Sequence, residues 1–299
     1  MIRASIVIPY KNRMANLGKV LDHLSAQNVP AKNYEIIIGS LDEQEPTKEL
    51  YRRYSNLQVV SQPLGYWNPS YARNIGIRHT KGEQIILLDA DIIVPPDFIQ
   101  KHLDAASPTR ICVGSVDDYA ENENNTSHFD TKNEDVRWTI NPNRAPLKWA
   151  LAWTGNISLN RGYIDRGILF DEEFVGWGGE DLEWSYRLQK EGAEITFFKD
   201  IACKHISHER DVTKNRKEER KNFNRFLIKA QNTDVEFVVR FGDMEANRIF
   251  ERYYDKRLND YCLLVSMDNP TTLIVGQKRD ENSSNLGSYH RLDLAGIAL

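Results

Sequence analysis

The sequence predicts an α/β fold in which a mostly parallel sheet is flanked by helices and followed by a small C-terminal appendage that contains β-strands. Short apolar segments alternate with segments of helical periodicity through the N-terminal part, at the spacing of β-α-β units. Residues 85–88 are apolar without polar alternation, which is typical of a central parallel strand covered on both faces. We therefore expect one large domain, 1–230, with an N-terminal half, 1–116, a C-terminal half, 117–230, and the appendage at 231–299.

The composition is that of an ordinary globular protein. Hydrophobic residues make up 40% of the 299 residues and charged residues 27%, which excludes a disordered or a membrane-spanning class. The net charge of −4 gives no reason to expect a nucleic-acid partner. Three widely spaced cysteines predict free thiols in a reducing compartment. The apolar N-terminal segment is too short for a signal peptide, so we expect a cytoplasmic protein.

The first elements follow from hydrophobic periodicity. An apolar strand at 5–8 ends at Pro9, and apolar residues then recur from Leu17 at i, i+3, i+4 and i+7, which predicts a helix that packs on the sheet. Asn28 and Pro30 are expected to end this helix. The other elements predicted in this half are strands at 34–39 and 57–61 and helices at about 46–54 and 71–78.

Two carboxylates follow the apolar run directly. Asp89 and Asp91, separated by Ala90, stand where the strand is expected to end, and ligands of open α/β sheets bind at the carboxyl ends of the strands. Two carboxylates at this spacing can share one divalent cation, whose other positions phosphate oxygens and water can fill. Aspartate is also common in surface turns, so the motif taken alone leaves a structural role open.

A second acidic motif opens a helix in the C-terminal half. The glycine-rich segment 176–179 leads into this helix, and helical spacing places Asp181 on its inward face. Glu183 and Arg187 form an i, i+4 pair that is expected on the solvent face. Acids at a helix N-terminus are also stabilised by the helix dipole, so capping is the alternative role. Because glycine lets the backbone bend, Trp177 is a candidate lid over a bound sugar, with Asp181 beneath it as a base.

Three other features indicate functional positions. Residues 117–146 form a long polar insertion, which we expect to be an acceptor-facing loop rather than a plain disordered one. Gly155 interrupts an apolar segment and indicates a close approach of backbone to a ligand or a strand. His205 and His208 follow a predicted strand at 194–198 and can bind one metal ion if they are held together, although such a pair is more often structural.

Together these motifs resemble those of the GT-A glycosyltransferases over about residues 3–230. The motifs at 5–13, 72–74 and 89–91 are similar to those of the large inverting family that contains bacterial polysaccharide and chondroitin-type synthases. The motifs at 176–181 and 208–211 are similar to those of the beta-1,4-galactosyltransferases. The resemblance implies a Rossmann-like nucleotide-binding sheet and transfer of a hexose or N-acetylhexosamine from a UDP-sugar donor to a hydroxyl of a glycan or peptide acceptor, with inversion.

The resemblance also implies roles for individual residues. Asp91 and His208 would bind Mn²⁺ (or Mg²⁺), with His205 at a position where the galactosyltransferases also have a ligand. Asp181 would be the general base, and Glu180 would hold acceptor or sugar hydroxyls. The segment that ends at Asp42 lacks the Asp-Asp-Gly-Ser usual in this family. The implied donor-binding residues are Pro9, Tyr10, Arg13, Asp42, Arg73, Asp89, Ala90, Asp91, Trp177 and Gly178.

Three alternatives remain open at this stage. A retaining α-glycosyltransferase could use the same scaffold, since the Gly-Gly-Glu motif also occurs there. A catalytically inactive UDP-sugar-binding module could keep the fold without turnover. A nucleotidyltransferase is disfavoured because no glycine-rich phosphate loop follows the first strand.

The C-terminal part is less informative. Residues 214–230 predict an amphipathic helix rich in lysine and arginine, for which a solvated cationic face is favoured over peripheral membrane contact. Strands are predicted at 236–242, 261–267 and 271–277. This appendage would serve acceptor binding or dimerisation, and the apolar segment 292–299 is expected to require a partner surface, so a homodimer is one expectation.

Overall fold

The computed structural model of the protein describes most of the N-terminal two thirds of the chain and three strands near its C-terminus. The predicted helix at 46–54, most of the 117–146 insertion, His208 and the last residues lie largely or wholly outside the described part. The chain forms two compact units, Met1–Asn222 and Phe223–Leu299, and the predicted domain boundaries stay a prediction. The described residues are 1–43, 53–119, 131–133, 135, 137, 143–146, 149–206, 211–232, 235, 236, 238, 239, 261–265, 272–278 and 286–293.

Four parallel strands begin the main sheet, as predicted. They are β1 (Ala4–Tyr10), β2 (Tyr34–Ser40), β3 (Leu57–Ser61) and β4 (Gln84–Leu88). They lie side by side in the order β3-β2-β1-β4, and every pairing among them is parallel. Because β2 and β4 lie on opposite sides of β1, the chain changes direction across the sheet at β1, and such a switch point opens a crevice at the carboxyl ends of the strands.

Helices α1 (Met14–Ser25) and α2 (Pro69–Ile77) lie between strands of this group, and a short 3-10 helix, Ala31–Asn33, precedes β2. Helix α1 buries the predicted apolar stripe, which consists of Leu17, Val20, Leu21 and Leu24, against the core. Helix α2 begins at Asn68, whose side chain accepts the backbone N–H of Tyr71, and it has proline in its first turn. A capping side chain together with proline at this position is a strong helix start signal.

The elements after β4 complete the sheet with strands of both directions. In the segment after β4 the elements are β5 (Ile92–Ile93), α3 (Phe98–Ala105), β6 (Arg110–Tyr119), β7 (Thr131–Asn133), β8 (Ala145–Pro146), β9 (Asn156–Asn160), α4 (Arg161–Asp165), α5 (Glu180–Lys190), β10 (Glu194–Ile206) and α6 (Val212–Ala230). Strand β9 is antiparallel to both β4 and β6, whereas β10 is parallel to β6. The α/β prediction is confirmed, and the sheet as a whole is mixed.

Strand β10 is longer than the sequence predicts. The predicted strand ends at residue 198, but the observed strand continues to Ile206 after an irregularity opposite β6 between Phe198 and Ala202. The polar residues that follow Phe198 conceal this continuation in the hydrophobic pattern. As a result His205 lies in a strand and pairs in register with Ile92 of β5.

A buried polar network ties α3 to the centre of the sheet. His102 is fully buried, and its Nδ1 and Nε2 atoms lie 2.8 Å from Ser158 Oγ and 3.0 Å from Asn156 Oδ1. Burial lowers the pKa of His102 to about 4, so the imidazole is neutral in the folded protein. Cys112 and Cys203 are buried free thiols, as predicted, and burial raises the pKa of Cys112 to about 11.

The second unit contains a three-stranded antiparallel sheet of β11 (Tyr261–Val265), β12 (Thr272–Lys278) and β13 (Leu286–Asp293). The predictions of strands at 261–267 and 271–277 are confirmed, whereas β13 is mostly polar and carries no clear strand pattern. The strand predicted at 236–242 is wrong for its described residues, since 235, 236, 238 and 239 are helical. No helix in the described ranges is long and apolar enough to cross a membrane.

Candidate active site

The loop after β1 and the acidic motif after β4 meet at the switch point of the sheet. Strand β1 ends at Tyr10, and Arg13, which precedes α1, reaches across to bind Asp91 Oδ2 through its guanidinium. Asp91 is 8% exposed and the Arg13 side chain is 41% exposed, so the ion pair joins a buried carboxylate to a guanidinium that solvent can reach. Two residues that the resemblance assigns to donor binding are therefore in contact.

Asp89 lies closer to solvent than Asp91 and packs on a glycine. Its side chain is 35% exposed, and a Cβ atom at Gly155 would lie 3.1 Å from Asp89 Oδ2. Gly155 has a φ of +105°, a backbone conformation that other residues rarely adopt. Its carbonyl also accepts the backbone N–H of Asp89 at 3.4 Å. The close approach predicted at this glycine is thus an approach to the acidic motif itself.

Arg73 joins the two acidic motifs. From α2 its guanidinium donates to Asp89 Oδ1 at 3.1 Å and to Glu180 Oε1 at 2.9 Å. Arg73 and Glu180 are buried, so the charges lie in a medium of low dielectric constant. Burial lowers the pKa of Arg73, but the charges of Asp89, Glu180 and Asp181 together raise it by more, and the net pKa is raised. Arg73 therefore remains charged and holds both carboxylates in place.

Helix α2 also fixes the segment that leads into the second motif. The Asn74 side chain donates to the Phe170 carbonyl at 2.8 Å and accepts the Phe170 N–H at 2.9 Å. The Asn68 side chain donates to the Glu172 carbonyl at 2.8 Å. The Phe170 ring lies beneath the Arg73 guanidinium, 5.3 Å from centroid to Cζ. These contacts place α5 opposite the end of β4.

The glycine-rich segment is held by α6, a connection that the sequence analysis does not predict. Glu218 Oε2 accepts the backbone N–H of Trp177 at 2.9 Å. The buried Asn222 side chain donates to the carbonyls of Gly178 at 2.8 Å and Val175 at 3.1 Å. Gly176 has a φ of +82°, and a Cβ atom there would lie 2.5 Å from the Glu218 carboxylate. The Trp177 side chain is 41% exposed beside this anchored backbone.

Helix α5 orients the acids of the second motif differently from one another. Asp181 is half-buried, and its Oδ1 accepts the backbone N–H of Leu182 at 2.9 Å. The expectation that Glu183 lies on the solvent face is wrong, because Glu183 is only 6% exposed and its carboxylate binds both Nε and Nη2 of Arg187. Arg187 also donates to the Leu169 carbonyl, and this contact draws the pair against the protein rather than into solvent.

The candidate metal ligands lie at the junction of β4, β5 and β10. His205 Nε2 lies 3.7 Å from Asp91 Oδ2. Since metal–ligand bonds to nitrogen or oxygen are about 2.1 Å long, atoms at this separation can bind the same ion. One carboxylate and one imidazole suit Mn²⁺ when phosphate and water complete the shell. No cluster of three such side chains occurs within the described ranges, from which His208 is missing.

The predicted nucleotide-side residues lie at the carboxyl ends of β1 and β2. Asp42 follows β2 and is buried, and both of its carboxylate oxygens lie 3.1 Å from the backbone N–H of Asn12. Pro9 and Tyr10 are buried in β1. Burial first, and then the charge of Asp42, raises the pKa of Tyr10 to about 12, so this phenol stays protonated. The Asp42 carboxylate thus anchors the loop that carries Arg13.

The polar insertion has buried anchors where it is described. Asp135 and Arg137 are almost fully buried and form an ion pair of 2.6 Å. Arg137 also donates to the carbonyls of Gly114 and Leu151, and Asp135 accepts the backbone N–H of Val116. A buried ion pair with these additional hydrogen bonds is satisfied. The insertion is therefore fixed to β6 at these two residues.

Comparison with protein families identifies the family of this chain. Residues 5–167, more than half of the chain, match Glycosyl transferase family 2. The chain belongs to glycosyl transferase family 2. Residues 137–210 of this family 2 enzyme also match the N-terminal domain of galactosyltransferase, and this second match covers the glycine-rich and acidic segment. The resemblance predicted for the two halves is confirmed.

Curated relatives of this family 2 protein are glycosyltransferases. Validoxylamine A glucosyltransferase of Streptomyces hygroscopicus subsp. jinggangensis is 27% identical over 83% of this chain and 68% of its own. Chondroitin synthase of Escherichia coli is 27% identical over 63% of this chain and 32% of its own. Hyaluronan synthase of Pasteurella multocida is 26% identical over 82% of this chain and 29% of its own. The chain thus spans about a third of the two synthases it matches.

Solved structures share the fold. S. aureus TarS 1-349 in complex with UDP-GlcNAc superposes with a TM-score of 0.60 at 13% identity, covering 87% of this chain and 77% of its own. The mannosyltransferase PcManGT from Pyrobaculum calidifontis, in complex with GDP-Man and Mn²⁺, has a TM-score of 0.58 at 16% identity, covering 85% and 76%. The predicted GT-A fold is confirmed.

Proposed function

We propose that this family 2 enzyme transfers a hexose or N-acetylhexosamine from a UDP-sugar to a hydroxyl of a glycan or peptide acceptor, with inversion at the anomeric carbon. The observation that carries the proposal is the double contact of Arg73 with Asp89 and Glu180. Through these two contacts a single side chain links the acidic motif of the donor half to the acidic motif of the acceptor half. A transferase needs these two halves of its site in contact, whereas a nucleotide-binding module does not.

Two buried atoms in the group formed by Arg73, Asp89 and Glu180 favour a sugar ligand. Arg73 Nε and Glu180 Oε2 are buried and have no hydrogen-bond partner within the described part of the protein. Buried polar groups are nearly always hydrogen-bonded, and an unsatisfied one calls for an explanation. A sugar hydroxyl, which both donates and accepts, would satisfy these atoms. Glu180 is thereby assigned to hold the transferred sugar or the acceptor.

The donor diphosphate is assigned to the crevice beside the Arg13–Asp91 ion pair. Asp91 and His205, with His208, would bind Mn²⁺ or Mg²⁺, and the cation would supply the charge that neutralises the departing diphosphate. Arg13 would then exchange its contact with Asp91 for one with a phosphate, which a guanidinium binds through two parallel hydrogen bonds. Asp42, Tyr10 and Pro9 would frame the uridine.

Asp181 is assigned as the general base. It begins α5 beside Glu180 and is half-buried, so an acceptor hydroxyl can reach it. It would take the proton of that hydroxyl as the oxygen attacks the anomeric carbon from the face opposite to UDP. Trp177, partly exposed four residues earlier, would close over the bound sugar as a lid.

A screen of sugar nucleotides tests the proposal. We expect protein-dependent release of UDP from one of UDP-galactose, UDP-glucose or their N-acetylamino forms. Turnover with only GDP- or dTDP-sugars would reject the uridine assignment, and binding without any turnover would favour an inactive module. The anomeric coupling constant of the product, measured by NMR, decides between inversion and retention. Peripheral membrane contact and dimerisation stay predictions.

A further inference from the structure

The part of α6 that anchors the glycine-rich segment has two chemically different faces. Glu218, Glu219 and Asn222 lie on the inner face, where Glu218 binds the Trp177 N–H and Asn222 binds the Gly178 carbonyl. At 3.6 residues per turn, positions 216, 217, 220 and 221 lie together on the opposite face. These four positions, Arg216, Lys217, Arg220 and Lys221, are called the basic stripe below.

The four side chains of the basic stripe are exposed, and no ion pair within the described residues neutralises their charges. The nearby carboxylate of Glu218 is directed inward, where it accepts the Trp177 N–H and lies 3.8 Å from Lys214. The whole protein has a net charge of −4, so four adjacent cations without an ion-pair partner in the described ranges are not explained by a basic composition. The stripe therefore presents a local positive potential to solvent.

The chemistry of the stripe fits an anionic polymer in solution. Two arginines supply planar guanidinium groups that bind carboxylates or phosphates through paired hydrogen bonds, and two lysines add point charges. A helix that lies in a membrane interface needs an apolar face beside its basic one. The apolar residues of α6 are Val212 and those from Phe223 onward, including the exposed Ile228, so the two turns that carry the basic stripe, 213–221, have no apolar side chain beside it.

The basic stripe lies close to the segment that leads to the proposed base. Arg220 and Lys221 share a helix turn with Glu219 and Asn222, which pack against Gly178. The next residue, Gly179, is the N-cap of the helix that begins with Glu180 and Asp181. Only the width of one helix, about 10 Å, lies between the basic stripe and that segment. A chain several sugars long whose terminal hydroxyl is at Asp181 can reach around this helix.

We infer that the acceptor is an acidic glycan, and that the basic stripe binds its negatively charged groups while its terminal hydroxyl lies at Asp181. The inference rests on the proposed glycosyl transfer and adds the chemical class of its acceptor. Each close ion pair at a solvated surface is worth a few-fold in affinity, and salt screens it over about 10 Å at 0.1 M. Acceptor binding should therefore weaken steadily as sodium chloride is added.

A pair of matched oligosaccharides tests the inference. The first contains glucuronic acid in alternating positions, and the second is the same molecule with its carboxylates reduced to alcohols. The protein variant replaces Arg216, Lys217, Arg220 and Lys221 by glutamine, which preserves helix propensity. The matched control removes four exposed cations elsewhere, by Lys19→Gln, Lys32→Gln, Lys81→Gln and Lys190→Gln. Oligosaccharide and UDP-sugar affinities are measured for all three proteins by calorimetry.

We expect the wild-type protein and the control to bind the carboxylated oligosaccharide at least tenfold more tightly than the reduced one, and the stripe variant to lose this preference. UDP-sugar affinity should be equal in all three proteins. Equal binding of the two oligosaccharides by wild-type protein, or an unchanged preference in the stripe variant, overturns the inference. Binding to phosphatidylserine vesicles is measured as well. If the stripe variant lost vesicle binding while its oligosaccharide preference stayed unchanged, the stripe would be a membrane contact and the inference would be overturned. Absence of UDP-sugar binding in wild-type protein would instead overturn the proposed function.

Discussion

Asp89 and Glu180 share one cation, because the Arg73 guanidinium donates to Asp89 Oδ1 at 3.1 Å and to Glu180 Oε1 at 2.9 Å. The two carboxylates come from halves of the chain that match different families, residues 5–167 and 137–210. Arg73 is thus the side chain that joins the segments matched by these two families. Its loss should affect the stability of the fold as well as turnover.

Replacing Arg73 by glutamine should lower the free energy of unfolding by about 3–5 kcal/mol, because a buried carboxylate is left without its partner. Combining Arg73→Gln with Glu180→Gln should restore part of this loss, since the buried group at Glu180 is then neutral. Urea unfolding of the two single variants and the double variant measures the coupling. If the effects of the two substitutions were simply additive, the ion pair would contribute nothing of its own.

The metal assignment predicts a change in ligand affinity that depends on Mn²⁺. His205→Ala should weaken the binding of UDP in the presence of Mn²⁺ by at least tenfold and leave it unchanged in a chelator, because in the proposed site His205, 3.7 Å from Asp91, would contact UDP only through the cation. The exposed His79 provides a control, since His79→Ala should not alter either value. Calorimetry checks both, and full activity in excess chelator would remove the metal from the proposal.

Because His102 is buried in its neutral form, the free energy of unfolding should fall in acid. Its pKa is about 4 in the folded protein and 6.5 when exposed, so the unfolded chain binds the extra proton first as the pH falls. The contribution of neutral His102 is complete above pH 6.5 and is lost between pH 6.5 and about 4, to a total of about 3 kcal/mol. Unfolding in urea across this range measures the slope. His102→Gln, which does not titrate, should show a shallower slope, and equal slopes in the two proteins would contradict the assignment.

Because Asn222 binds the glycine-rich segment, we expect the position of this segment to depend on α6. Asn222→Ala leaves the carbonyls of Gly178 and Val175 without their donor, which should cost about 2–3 kcal/mol of stability. Turnover should fall more than UDP affinity, because the segment adjoins Asp181 rather than the diphosphate. Asn224→Ala, an exposed neighbour on the same helix, is the control. A variant with normal turnover would show that the anchoring contact is purely structural.

Much of this site was predictable because local sequence determines it. The apolar stripe that begins at Leu17 and the run that ends at Asp89 have unambiguous periods, so α1 and β4 were placed correctly. The direction of β9 was not predictable, since an apolar segment reads the same in a parallel and an antiparallel pairing. The burial of Glu183 was also missed, because helical spacing alone does not say how many neighbours cover a face.

The role of Asn222 had a signal in the sequence that periodicity analysis passes over. Asn222 stands four residues before Phe226, so it continues the apolar stripe of α6 with a polar side chain. A polar residue at a buried position must find hydrogen-bond partners. Such a position indicates an anchoring contact, but its partner, the backbone around Gly178, lies far away in sequence and only the fold reveals it.

The assignment of Asp181 as general base gives the sharpest kinetic prediction. Asp181→Asn keeps the size of the side chain and can still accept the Leu182 N–H through its amide oxygen, but it cannot take a proton from the acceptor. Turnover should therefore fall by about 10²–10⁴-fold, the usual contribution of a general base, while UDP affinity stays within about twofold.

The buried Glu183 is unsuitable as a control for this variant, because its carboxylate is bound by Arg187. Glu191→Gln is suitable, since Glu191 is exposed at the end of the same helix. Measuring kcat and calorimetric UDP affinity for both variants separates the possible roles. Near-normal turnover in Asp181→Asn would make Asp181 a helix cap. A large loss of UDP affinity would place it in the donor site, and in either case the inverting reaction proposed for this enzyme would need a different base.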